Sequence, residues 1–157
     1  MAQTTTAIPQ SNFVLEVSTN GSSWTDISGQ STQVNVSGGD QMIGEQHTAD
    51  GNAPVVVASN KVAAIQLECN ILYTETSGQA FQTVWARYEG AAKTIYVRYA
   101  PKGSTSGNER YTASDDAGNS FACPIVSCLP PNTDAGSGDP AMASFTVTCP
   151  KLVQATI

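Results

Sequence analysis

The chain has 157 residues and a net charge of −6, and only 13% of it is Asp, Glu, Lys or Arg, where roughly a quarter is usual. That length suits one domain with a real core, running from residue 1 to 157. The seven basic residues, Lys61, Arg87, Lys93, Arg98, Lys102, Arg110 and Lys151, form no run, which excludes a basic stripe able to replace the counterions of nucleic-acid phosphates.

The first elements read as strands. Phe13, Leu15 and Val17 share one face of a half-buried strand. Asn20-Gly21 predicts a tight hairpin turn, with Ser23 to Ile27 returning antiparallel on Trp24 and Ile27. Ser28-Gly29 turns the chain into a strand over Thr32 to Val36. A polar, glycine-dotted segment then extends from about residue 37 to residue 60. A compact domain seldom keeps so long a loop unless it is functional, disordered or used for contact. Its turn signals are Gly38-Gly39, Gly44, Asp50-Gly51 and Pro54, and its apolar islands are Met42, Ile43 and Val55 to Val57. A hairpin arm bending near Asp50-Gly51 and a flexible flap are both compatible with it.

From Val62 the alternation is clean, with Ala63, Ile65, Leu67, Cys69, Ile71 and Tyr73 on one face and Gln66, Glu68 and Asn70 on the other. A helix is predicted over Ser77 to Tyr88. Thr76 or Ser77 would cap it, Gln79 would reach back as in a capping box, and Gly90 would stop it. Its stripe of Phe81, Val84, Trp85 and Tyr88 is expected to pack on a sheet. Strands follow over Thr94 to Tyr99 and Glu109 to Ser114, the latter ended by Asp115-Asp116-Ala117-Gly118. Phe121 to Cys128 contains Pro124, which cannot donate to a ladder and points to an edge or bulge. Ala143, Phe145, Val147 and Cys149 mark a last strand, and Pro150 separates it from a tail at 150–157. About eight strands and one flanking helix make an all-β sandwich or barrel.

Signals for chemistry are weak. Cys69, Cys123, Cys128 and Cys149 lack zinc or thiol-redox spacing and fall in strand-like runs, so reduced core thiols are expected. Asp115 and Asp116 are adjacent and read as turn formers, and Asp134 to Asp139 lacks the alternating ligands of a calcium loop. His47 with Glu45 and Asp50 has no positioned nucleophile beside it. Two sequons, at Asn20 and Asn35, are expected to be unused. No apolar run approaches the roughly 20 residues of a spanning helix, and Met1 to Gln10 has neither a basic start nor an apolar signal core. Neither a membrane nor an export route is expected, and no enzyme activity, cofactor or metal.

Phe13 to Val17, the run from Ser18 through Asn20-Gly21 and Trp24 to Gly29, the long glycine-rich loop, the strand Val62 to Tyr73, the single helix and the closing strands together resemble the major tail tube proteins of long-tailed, siphovirus-type bacteriophages. The resemblance covers most of the chain and rests on layout, since that family has no invariant motif. It implies a β subunit that joins copies of itself into rings, commonly hexamers, which stack into a tube for DNA ejection. Tip and terminator proteins would be further partners, and the location would be the virion, after assembly in the host cytoplasm. By the same likeness Gly38 to Pro54 would be the stacking loop, with Gly38, Gly39, Asp40, Met42, Ile43, His47, Asp50 and Gly51 making contacts between subunits. A tube lumen that DNA slides past should be acidic or neutral, and Glu16 and Glu68 are the candidates to line it. A virion decoration or tail-fibre domain is one alternative. A carbohydrate-binding sandwich using Trp24, Trp85 or Tyr96 is another.

Overall fold

Alternating apolar and polar residues build two antiparallel sheets, and a computed structural model describes them over residues 7–157. Most of the expected leaderless start, Met1 to Gln10, lies outside the described residues. Strand β1 (Val14–Ser18) turns Leu15 and Val17 into the core and pairs with the two-residue β2 (Thr25–Asp26). The connection is wider than the two-residue turn that Asn20-Gly21 predicts. The buried Ser18 hydroxyl accepts the N–H groups of Asn20 and Gly21, and the Asn20 side chain accepts those of Ser22 and Ser23. These local acceptors compete with a tight hairpin and win.

Strand β3 (Ser31–Gly38) leads into a two-stranded hairpin, β4 (Gln41–Gln46) and β5 (Val55–Val62), which pair with each other in a separate sheet. The chain returns as β6 (Ile65–Leu72), antiparallel to β3 with Gly38 opposite Ile65. After helix α1 (Ala80–Glu89) come β7 (Thr94–Ala100), β8 (Glu109–Ser114), β9 (Cys123–Leu129), β10 (Met142–Cys149) and β11 (Lys151–Thr156). One layer runs β3-β6-β10-β9 and the other β2-β1-β7-β8-β11. The layers are joined where Thr94 and Ile95 of β7 meet Pro124 and Cys123 of β9. Pro124 thus sits at the start of its strand, and the ladder between β9 and β10 shifts register beside it, the irregularity expected of a proline there.

The core lies between the layers. Leu15, Val17, Leu67, Ile71, Ile95, Val97, Phe145 and Val147 are fully buried in it, and α1 flanks them with Ala80, Phe81 and Val84. This is an all-β sandwich with one flanking helix, with eleven strands among the described residues. Two corrections concern element ends. The expected tail is strand β11, paired with β8 from Lys151↔Ser114 to Thr156↔Glu109. The helix begins at Ala80 instead of Ser77, and its N-cap Gln79 makes no side-chain capping bond. The amide of Ala80 donates instead to Gln30 Oε1 at 2.7 Å, an acceptor brought from another part of the chain.

Gly90 ends α1 by close contact: its N–H donates to the Ala86 carbonyl at 3.1 Å, and a Cβ there would lie 2.7 Å from that oxygen. Trp85 is only half-buried, stacked on Phe81 at 5.6 Å and tilted against Tyr88 at 5.8 Å. Trp85→Ala should therefore destabilise by less than the ~3–5 kcal/mol of a fully buried aromatic, which urea unfolding would measure. A loss at or above the top of that range would contradict the half-buried placement.

Candidate assembly interface

The β4–β5 hairpin is the part of the fold that the core does not explain. All of β4 is exposed, and so is β5 apart from Ser59. Residues paired across an antiparallel ladder share a face. Ile43↔Ala58 and Glu45↔Val56 fall on one face, and Gly44↔Val57 and Gln46↔Val55 on the other. Ile43 is 63% exposed, Val56 59% and Val57 62%, so both faces of the ribbon carry apolar side chains with nothing among the described residues packed over either. A lone two-stranded ribbon is at best marginal in water, and single exposed apolar residues are ordinary while a clustered set is not.

The base of the hairpin is well tied. The Ala63 N–H donates to the Asp40 carbonyl at 2.9 Å, and the Gln41 side chain donates to the Ser59 carbonyl at 2.7 Å. Gly38 and Gly39 at the hinge have φ of +79° and +73°. A side chain at Gly38 would be strained there and would collide with the Ala64 carbonyl.

The sequence-predicted contact residues occupy three places on this arm. Gly38, Gly39 and Asp40 form the hinge, Met42 and Ile43 lie on β4, and His47, Asp50 and Gly51 lie in the tip, where the Gly51 N–H donates to the Thr48 carbonyl. His47 and Glu45 are 3.9 Å apart and both exposed. The valines of β5, Val55, Val56, Val57 and Val62, were not among the predicted contacts, although they supply much of the exposed apolar surface. Their signal was the β-branched run directly after Pro54.

Glu16 and Glu68 come to lie on opposite layers. Glu16, on β1, is held by Arg98 at 2.6 and 2.9 Å, and the Arg98 guanidinium lies 4.1 Å above the Trp24 ring. That stack covers the ring proposed as a sugar platform, as Phe81 and Tyr88 flank Trp85. Among the described residues Glu68 has no such partner. It points outward from β6, between Asn35 of β3 and Thr146 of β10. It is the only Asp, Glu, Lys or Arg in the four strands of its layer. The outward neighbours Gln33, Ser37, Gln66, Asn70, Ser144 and Thr148 are all neutral and polar. By contrast, the other layer holds Arg98, Arg110 and Lys151. β3 pairs on one side only, with β6, leaving its second edge open among the described residues.

Elsewhere the polar groups serve structure. The Asp115 carboxylate accepts the Asn119 N–H at 2.8 Å, which together with the Asn119 side chain holds its pKa below the usual carboxylate value and closes the turn after β8. Among the described residues no three His, Cys, Asp or Glu side chains converge as a metal site, and no helix is long and apolar enough to cross a membrane.

No family model and no curated protein matches the sequence. Solved structures do match the fold. A chain of the PVC extracellular contractile injection system, in its sheath-tube complex in the extended state, aligns at 14% identity with a TM-score of 0.62, over 98% of this chain and 94% of that one. A chain of the anti-feeding prophage (AFP) baseplate aligns at 12% identity and a TM-score of 0.65, covering 99% and 97%. A chain from the tail of an empty GTA particle aligns at 10% identity and a TM-score of 0.56, covering 96% and 99%. The likeness is one of fold. It spans nearly the whole of each chain.

Proposed function

We propose that this chain is a structural subunit that assembles with copies of itself into the tube of a phage-like tail, not an enzyme. The observation that carries the reading is the β4–β5 ribbon, whose two apolar faces are both uncovered in the single chain. Neighbouring copies laid on those faces would remove them from water at roughly 25 cal/mol per Å². The fold shared with chains of tail and injection-system assemblies supports the same conclusion.

Within such a tube the ribbon is the contact between subunits or successive rings. The sixfold symmetry applied to the AFP baseplate and the GTA tail supports rings of six. The layer β3-β6-β10-β9 turns its outer face to the channel. Its strands carry no Lys or Arg and a single acid, Glu68, so DNA passing along it meets no counterion-release attraction. Glu16, neutralised by Arg98 on the opposite layer, then faces away from the channel. The reading covers phage-like tail tubes, contractile or not, more broadly than the long-tailed phages alone. Terminator and tip proteins are its further partners, and the mature particle its location.

Concentrated purified protein should form tubes of one diameter in negative-stain images and fast-sedimenting species by ultracentrifugation. The same preparation should bind duplex DNA negligibly at low salt. Monomer at every concentration, even with a seeding baseplate, would overturn the assembly reading, and DNA binding that weakens steeply with salt would overturn the assignment of the channel face.

A further inference from the structure

All four cysteines are buried, but two of them stand face to face. Strands β9 and β10 run antiparallel with Ile125 opposite Val147. The paired ladder ends there, and continuing its register two residues along each strand sets Cys123 opposite Cys149 on the same inward face, with neither more than 1% exposed. Opposed residues on antiparallel strands have Cα atoms about 4.5–5.5 Å apart, within the roughly 4.4–6.8 Å that a disulfide spans. The other two cysteines cannot do this. Cys69 and Cys128 lie on either side of Phe145, each opposite it on a flanking strand, which places them about 9.5 Å apart at the usual strand spacing.

The pair also lies against the wall of a cavity. Cys149 lines a cavity of about 520 Å³ at the foot of the hairpin, bordered by Lys61, Asp116, Phe121, Pro124 and Pro150. We propose that Cys123 and Cys149 form an oxidisable pair that a small peroxide, entering through this cavity, converts into a cross-strand disulfide.

Cys149 is the attacking group. The neighbouring Cys123 thiol holds its pKa below the usual thiol value, whereas burial pushes Cys69 up and holds Cys128 at about 11. The Cys149 thiolate attacks one oxygen of hydrogen peroxide. The O–O bond breaks, hydroxide leaves and takes up a proton as water, and Cys149 becomes a sulfenic acid. The Cys123 sulfur then attacks the Cys149 sulfur, the S–O bond breaks, and the hydroxyl leaves with the Cys123 proton as a second water. Two thiols are oxidised and one peroxide is reduced to two waters. The resulting bond staples β9 to β10 beside the point where the two layers join, and it closes the loop from residue 123 to 149 in the unfolded chain.

The test uses the intact protein treated with hydrogen peroxide, quenched with catalase, then denatured and alkylated without reductant. Titratable thiols should fall from the four of the sequence to two, and peptide mapping should join Cys123 to Cys149 within one chain. The thermal midpoint should rise by several degrees and return on reduction with dithiothreitol. Cys149→Ser should keep its remaining three thiols under the same treatment. Four thiols surviving in the folded wild-type protein, or a bond that uses Cys69 or Cys128 or joins two chains, would overturn the proposal without requiring any variant to fold.

Discussion

A chain in which Asn-Gly replaces residues 39–64 should fold with a thermal midpoint close to that of the full-length protein and form no tubes. Gly38 and Ile65 are already Cα partners in the ladder between β3 and β6, so a two-residue loop of the type Asn-Gly favours can close them directly. The excised segment contributes no side chain to the buried core. Removing it also shortens the loop that folding must close, which adds a small favourable entropy term. What disappears is the exposed apolar ribbon, with Met42, Ile43, Val55, Val56, Val57 and Val62. Calorimetry and sedimentation on the same sample separate the two effects. Tubes formed by the shortened chain would remove the ribbon from the assembly, whereas loss of cooperative unfolding would place it in the core.

Strands β6 and β10 were legible in the sequence because each covers one side of the core and so alternates in register with burial: Leu67, Cys69 and Ile71 point in, and Gln66 and Glu68 point out, as Phe145 and Val147 do and Thr146 does on β10 in turn. The hairpin was legible only as a choice between arm and flap. Both of its faces are exposed, so Val55, Val56 and Val57 need no inward and outward alternation. Strand β11 was hidden because its support is not local: Lys151 to Thr156 is held by pairing with β8, forty residues earlier in places, and Pro150 made it look detached. The same holds for the start of α1, where Gln30 supplies the acceptor that a local capping box was expected to supply. For the candidate interface, the outward direction of Glu16 and Glu68 followed from alternation alone. That they belong to opposite layers, and that Arg98 bridges Glu16 to Trp24, required the strand order.

Phe145→Ala should cost about 3–5 kcal/mol in urea unfolding, as large-to-small changes in packed interiors do. Phe145 lies mid-strand on β10 with no exposure, opposite Cys69 on one side and Cys128 on the other. Its ring therefore fills space that two small thiols leave, and neither neighbour can extend into the vacancy. A domain of this size has only about 5–15 kcal/mol of net stability, so the variant should be close to unfolding at room temperature. Phe145→Leu, which keeps most of the volume and all of the apolar character, should cost less than about 1.5 kcal/mol. The pattern differs in kind from excision of the hairpin: here tubes are lost because the subunit is lost, and folding and assembly fall together. A cost near 1 kcal/mol for Phe145→Ala would mean that β10 is not the centre of its layer, and with it the placement of Glu68 on that layer's outer face would fail.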